Sequence, residues 1–342
     1  MKVASYWQPF EKQHVKCLLC PHECRIAQGK TGLCRVRENK EGRLYSRNYA
    51  KVASIAVDPI EKKPLYHFYP GSYLLSVGTT GCNLRCGFCQ NYGISQTSDV
   101  PKTEIAPADL VSRCSRAQER EPRVVGIAYT YNEPSVWYEY VFDASRFAHD
   151  ARLKNVLVTN GYIAEEPLRE LLPYVDALNI DLKAFSDEFY RRICHGTLEP
   201  VLRSVQMSVA SGCHVEVTNL LVTSLNESEE HVRDLSSWIA SVGRDVPLHL
   251  SRYFPNFELD LPPTSTATLT EARRIAREYL DYVYVGNVWG GMATDTVCPE
   301  CGHTLLGRQA LELSYCDLEA NKCPNCGREI AMRGEVTWDK GE

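Results

Sequence analysis

The chain has 342 residues, 44% of them hydrophobic and 24% charged, and a formal net charge of -5. The length suits a main catalytic domain with smaller appendages, and the composition is that of an ordinary soluble globular protein. The acidic balance supplies no broad basic field for a nucleic-acid backbone, and no apolar stretch approaches the roughly 20 residues of a membrane helix.

Taken in chain order, Met1–Phe10 lacks a basic stretch leading into an apolar core. No secretory signal is therefore expected, and the cytoplasm is the expected compartment. Of the 15 cysteines, most fall into three tight clusters, which in a long chain reads as metal binding rather than a disulfide scaffold. The first cluster is Cys17, Cys20, Cys24 and Cys34, spaced C-x2-C-x3-C-x9-C. Four thiolates there suit zinc or an iron–sulfur cluster, with zinc slightly favoured and His22 expected behind the ligands. Pro64, Pro70 and Gly71 punctuate the end of this region, predicted to span residues 1–70.

Strand-like runs then recur at Tyr73–Val77, Val124–Tyr129, Asn155–Thr159, Ala177–Asp181, His214–Thr218, Pro247–Arg252 and Tyr282–Val285. Helical patterns separate most of them, as at Ala106–Glu119, Ser135–Arg152, Glu229–Ser241 and Thr270–Tyr279. Such alternation predicts an α/β fold of parallel strands with crossover helices, as six or seven units rather than the eight of a complete barrel. A partial (β/α)6 barrel is predicted over residues 71–291, with Trp289-Gly290-Gly291 closing it and a third module over 292–342.

After the first run comes Gly78-Thr79-Thr80-Gly81-Cys82-Asn83-Leu84-Arg85-Cys86-Gly87-Phe88-Cys89, with the spacing C-x3-C-x2-C. Three thiolates leave one iron of a [4Fe-4S] cluster without a protein ligand. That open iron suits the amino and carboxylate groups of S-adenosylmethionine (SAM), next to a cluster that delivers one electron. Phe88, between the second and third thiolates, suits contact with an adenine. The plain alternatives are a zinc site completed by a distant histidine, or three incidental cysteines.

Barrel enzymes carry their chemistry on loops at the carboxyl ends of strands, and polar motifs recur there. They are Thr130-Tyr131-Asn132-Glu133, Thr159-Asn160-Gly161, Asp181-Leu182-Lys183, Glu216-Val217-Thr218-Asn219 and His249-Leu250-Ser251-Arg252. Asn160 and the polar residues of the last two motifs, Glu216, Thr218, Asn219, His249, Ser251 and Arg252, are expected to line the cavity toward SAM or substrate. His249 reads equally well as a core histidine, and Arg252 as one half of an ion pair. The third cluster, Cys298, Cys301, Cys323 and Cys326, forms two C-x2-C knuckles, each followed by glycine. It predicts a closed structural zinc ribbon, with iron as the rival metal. Cys114, Cys194, Cys213 and Cys316 lack partners at ligand spacing and are expected to be inert buried thiols.

The central loop and the motifs after it resemble the radical SAM superfamily over about Tyr73–Asn287, in its branch of pyruvate formate-lyase activating enzymes. The run Gly81–Gln96, with the cysteine-rich segment before it, is similar to the AmmeMemoRadiSam-system radical SAM proteins. The resemblance implies a role for Glu133 on the SAM amino group, although the glycines that should precede it are replaced. It implies that Asp181 and Lys183 orient SAM. It also implies an electron donor such as ferredoxin or flavodoxin, and an enzyme that splits SAM to a 5′-deoxyadenosyl radical and takes hydrogen from a small-molecule or protein substrate. One rival is an activase that places a glycyl radical on a partner protein. Another, outside catalysis, is a zinc-binding RNA or protein interaction module, which the acidic balance disfavours.

Overall fold

The computed structural model describes residues 1–97, 99–288 and 293–338. The expected boundary at Trp289-Gly290-Gly291 lies outside the described residues. The central element is an eight-stranded sheet. Its strands are β1 (Ser54–Pro59), β2 (Tyr73–Gly78), β3 (Val124–Tyr129), β4 (Lys154–Thr159), β5 (Ala177–Asp181), β6 (His214–Leu221), β7 (Leu248–Arg252) and β8 (Val283–Gly286). Each strand pairs with the next in sequence. β1 runs antiparallel to β2 and all later pairs are parallel, giving a singly wound, barrel-like sheet. The sheet thus extends past six parallel strands, because Val283–Gly286 also joins the ladder.

The parallel strands form because helices cover them on one side and the barrel interior on the other, so in β2, β5 and β6 the residues are buried nearly without break. β3 approaches β4 closely at Gly126, where an added Cβ would stand 2.0 Å from the Lys154 carbonyl oxygen. Helices α1 (Pro107–Arg120), α2 (Tyr138–Asp150), α3 (Glu165–Leu171), α4 (Glu199–Ala210), α5 (Glu229–Val242) and α6 (Thr266–Ala276) cross between strands. Their buried positions follow helical spacing, as in Val232, Leu235, Ser236 and Ile239 of α5. The Ser228 and Ser265 side chains cap α5 and α6 by accepting from the His231 and Thr268 backbone N–H groups.

Two small antiparallel sheets built from residues 2–46 pack against the rim where the central cysteines lie. Arg37 and Glu139 join them to α2 through a buried ion pair at 2.6 Å. Breaking such a pair from one side costs about 3–5 kcal/mol. A three-stranded antiparallel sheet of Thr296–Val297, Thr304–Gln309 and Glu312–Cys316 packs at the opposite end of the barrel. The seam there is polar and buried. Glu216, fully enclosed in β6, accepts from His249 Nε2 (2.6 Å), His214 Nε2 (2.9 Å) and the backbone N–H groups of Tyr66 (3.0 Å) and His67 (2.8 Å). His67 continues the chain of contacts to Tyr284 Oη (2.5 Å) and the Ala331 carbonyl (2.8 Å). Tyr284 meets Thr296 (2.9 Å), and Arg308 donates to Thr296 (2.8 Å) and the Tyr66 carbonyl (2.8 Å). Burial alone would raise the Glu216 carboxyl, but the two histidine donors outweigh it and hold the group well below the usual carboxylate range.

Candidate metal and cofactor site

The loop leaving β2 is held from three sides. Asn132, just past β3, accepts from the Thr79 N–H (3.0 Å) and donates to the Gly81 carbonyl (2.8 Å). Gly81 takes φ +91°, and a Cβ there would sit 2.5 Å from the Cys34 carbonyl oxygen, so the N-terminal region presses directly on the loop. From the far side, the Arg85 and Gly87 N–H groups donate to the carbonyls of Cys194 (2.9 Å) and Ile193 (3.1 Å). Glu258 returns a bond from its N–H to the Gly87 carbonyl (2.9 Å), and its carboxylate pairs with Arg85 at 2.6 Å.

This packing presents three thiols at the carboxyl end of the sheet, Cys86 buried and Cys82 and Cys89 half-buried. The Cys82 sulfur accepts from the Leu84 N–H at 3.4 Å and from Asn160 Nδ2 at 3.6 Å. Burial and the nearby Glu133 charge push the Cys82 thiol far up, and burial likewise raises Cys89. Cys86 is raised by its contact with the Cys194 thiol and by burial, against the pull of Lys183. Desolvated thiols of this kind ionise when a cationic metal centre neutralises them. Two N–H groups aimed at one sulfur are the donors that tune an iron–sulfur cluster. The donor set therefore fits an iron–sulfur group.

Lys183 Nζ and Asp181 pair at 2.9 Å beside Cys86, and the Asp181 charge offsets burial to raise the lysine. Asn160 is buried and joins Cys82 to Asn83, whose Oδ1 it reaches at 2.9 Å. Glu133 is 2% exposed and spends both oxygens within the chain, on the Ser135 N–H (2.9 Å), Thr159 Oγ1 (2.7 Å) and the Asn160 N–H (2.8 Å). Asn219 donates to the Leu182 carbonyl (2.7 Å), while its Oδ1 is buried without a donor. Phe88 is buried, with its ring 6.0 Å from that of Phe189. Arg252 donates to the Thr264 carbonyl (2.7 Å) and stacks over Phe254. Glu216 and His249 belong to the opposite end of the barrel.

Sequence reasoning gave no role to Asn83, Asn132 or the contact of Cys194 with Cys86. Asn83 stands inside the motif and was open to notice, since it donates to the Tyr162 carbonyl (2.5 Å) and so locks two rim loops together. Cys194 arrives from a π-helical turn, Tyr190–Cys194, that no spacing announces.

At the base, the sulfurs of Cys298, Cys301, Cys323 and Cys326 all lie within 4.8 Å of one another. Cross-pairs stand at 3.5 Å (Cys298–Cys326) and 3.6 Å (Cys301–Cys323), the tetrahedral spacing of four thiolates on a single metal ion. Among the described residues, no helix is long and apolar enough to cross a membrane.

Residues 76–239 match the sequence profile of the Radical SAM superfamily. A protein of Methanocaldococcus jannaschii described as uncharacterized is 42% identical over 337 residues, covering 96% of this chain and 99% of its own. The pyruvate formate-lyase-activating enzyme of Clostridium pasteurianum is 22% identical over 177 residues, 51% of this chain and 72% of its own. Among solved structures, Streptococcus suis SuiB bound to S-adenosylmethionine is similar in fold, with a TM-score of 0.50 and 13% identity over 60% of this chain and 48% of that chain.

Proposed function

Because this chain belongs to the radical SAM superfamily, we propose that Cys82, Cys86 and Cys89 hold the [4Fe-4S] cluster on which the enzyme cleaves SAM. The cluster and SAM together supply one electron and a 5′-deoxyadenosyl radical that takes a hydrogen atom from the substrate. The observation that carries the reading is three thiols gathered in one loop at the carboxyl ends of parallel strands, with the Lys183–Asp181 pair on the same rim.

The chain's own residues then have defined tasks. Lys183 offers its ammonium to a carboxylate, and Asp181 accepts from an amino group. Asn219 Oδ1 is an acceptor without a donor, suited to a ribose hydroxyl or an amino group. Arg252 and Phe88 are assigned to the same ligand. Glu133 acts indirectly, because its oxygens fix the Asn160 backbone and so aim Asn160 Nδ2 at the Cys82 sulfur. The buried walls exclude water from the radical step. The ribbon cysteines are assigned a structural zinc, and the electron is assigned to a ferredoxin or flavodoxin. The substrate is a small molecule or a protein residue. Activase chemistry on a partner protein is the second reading, favoured by the likeness to an activating enzyme and opposed by the missing glycines before Glu133.

Anaerobic reconstitution tests this. The wild-type chain should release 5′-deoxyadenosine from SAM when dithionite is added, and Cys86→Ala should abolish that release. A chain with zinc alone at every cysteine cluster would overturn the reading.

A further inference from the structure

We propose that β1 (Ser54–Pro59) is the docking edge for a protein substrate, which pairs on it as an added antiparallel strand and is led from there to the cysteine loop. That the docked chain is a substrate rests on the SAM chemistry proposed above, whereas the docking edge itself does not.

The ladder between β1 and β2 fixes where the backbone of β1 points. Ser54 pairs with Gly78, Ala56 with Ser76 and Asp58 with Leu74, while Ile55 and Val57 stand opposite Val77 and Leu75. One step further on, the Ile60 N–H donates to the Ser72 carbonyl at 2.9 Å. Bonded pairs alternate along an antiparallel ladder, so Ser54, Ala56 and Asp58 face β2, and the N–H and C=O groups of Ile55 and Val57 face away from it. The far side of β2 agrees, because the Tyr73 N–H and the Val77 carbonyl bond to Arg123 and Thr130, which flank β3 (2.8 Å each). Among the described residues β1 pairs with β2 alone. Ile55 is 41% and Val57 44% exposed, and Ala56 between them is exposed as well. Sheet edges are normally blunted by charge, proline or cover, and here Pro59 blunts only the end toward the base. Three successive apolar residues thus hold four outward backbone groups to solvent. The complement of such a row is an extended polypeptide.

Size and position choose a substrate segment over a second copy of this chain. A stable dimer takes roughly 20–30 residues a side. β1 offers six, three of them apolar and exposed, so self-pairing along this edge is too small to hold two copies together. A contact of that size suits a chain whose next residues are gripped elsewhere. The edge leads to such a grip. The Ala53 N–H donates to the Gly78 carbonyl (2.8 Å), and Thr79 Oγ1 donates to the Lys51 carbonyl (2.6 Å). The amino end of β1 therefore lies against the first residues of the loop that carries Cys82. Just before it, Lys51–Val52 already takes Thr103–Glu104 as an antiparallel partner, so the free edge runs from the base to the cysteine loop and stops there. A strand lying antiparallel on β1 climbs toward the rim and, after about 10 Å along Val57–Ser54, ends beside Gly78. Backbone bonds supply the affinity, and apolar side chains at alternate positions meet Ile55 and Val57.

Random nonapeptides displayed on phage, selected anaerobically on the reconstituted full-length chain, test this. Selected peptides should carry apolar residues at alternate positions. Adding one of them, made synthetically, should slow amide hydrogen exchange at Ile55 and Val57 at least tenfold. Val57→Pro removes one outward N–H without touching a bond to β2, and should weaken that peptide at least tenfold at an unchanged melting temperature. If that variant does not fold, Ile55→Lys, on an exposed side chain, takes its place with the same expectation. Peptides that leave both amides unprotected, or no enrichment at all, would overturn the inference. So would a wild-type dimer in sedimentation that either variant returns to monomer, since the occupant is then a second copy. Release of 5′-deoxyadenosine by a chain that protects neither amide sinks the docking edge and keeps the proposed function. Protection of both amides with no such release does the reverse.

Discussion

Glu216→Gln changes one oxygen to an amide nitrogen at a point where four donors converge. Each carboxylate oxygen takes one histidine and one backbone N–H: Oε1 takes His214 and His67, and Oε2 takes His249 and Tyr66. A glutamine keeps one accepting oxygen in either orientation, so its NH2 must face one imidazole and one backbone N–H. The imidazole can change tautomer and accept, but the backbone group cannot. At least one buried N–H is orphaned, at about 1–3 kcal/mol, and the charge-assisted bonds weaken by a similar amount. The expected loss is about 3 kcal/mol, or roughly 4 °C in apparent melting temperature for a chain of 342 residues at a fixed scan rate. Because the residue lies at the end of the barrel away from Cys82, dithionite-driven SAM cleavage per folded molecule should stay within about twofold. Cleavage lost at unchanged melting temperature would refute this reasoning and move Glu216 into the chemistry.

Asn160→Ala removes a donor from the Cys82 sulfur and should lower the midpoint potential of the central cluster by tens of millivolts, on the order expected for one N–H···S bond. A redox titration followed by electron paramagnetic resonance checks it, and an unchanged potential counts against the contact. Cys298→Ser with Cys323→Ser should lose about one zinc per chain and expose the last fifty or so residues to limited proteolysis, with iron content unchanged. Protease resistance equal to wild type would show that the metal does not hold the ribbon. His231 is buried and lowered to about 4 by that burial. The unfolded chain takes up this proton near pH 6.5 and the folded chain only near 4, so stability is lost as pH falls between them, by up to roughly 3 kcal/mol. His231→Leu should flatten the melting temperature against pH over that window, and parallel curves would refute the assignment.

Much of the sheet was legible because parallel strands buried on both faces leave unbroken apolar runs. The run Ala177–Asp181 coincides with β5, and Tyr73–Val77 stops one residue short of β2. What such a run does not reveal is which end of the strand a polar residue occupies. The strand-like run His214–Thr218 continues as strand to Leu221, so Glu216 falls near the amino end and faces the base rather than the rim. Its partners Tyr66 and His67 stand about 150 positions earlier, beyond any local pattern. β1 was missed because Ile55, Ala56 and Val57 are all exposed, and among the described residues it pairs with β2 alone. That Cys82, Cys86 and Cys89 share one loop after a strand was legible from their spacing, the flanking glycines and the apolar run before them. Glu133 was recognisable as a carboxylate at the rim, but its three internal donors depend on how β4 ends.

The seam of Tyr66, His67, Glu216, His249, Tyr284 and Arg308 also determines traffic. The Tyr66 and Tyr284 rings lie 4.7 and 5.2 Å from that of His249, and Arg308 sits 4.2 Å over Tyr66, stopping the barrel floor. The floor is closed by these side chains, whereas the edge strands β1 and β8 do not pair with each other among the described residues. On the proposed function, SAM and its products exchange on the side of the barrel where Cys82 and Asn160 stand, so a bulky ligand wedged there is expected to slow release as well as entry.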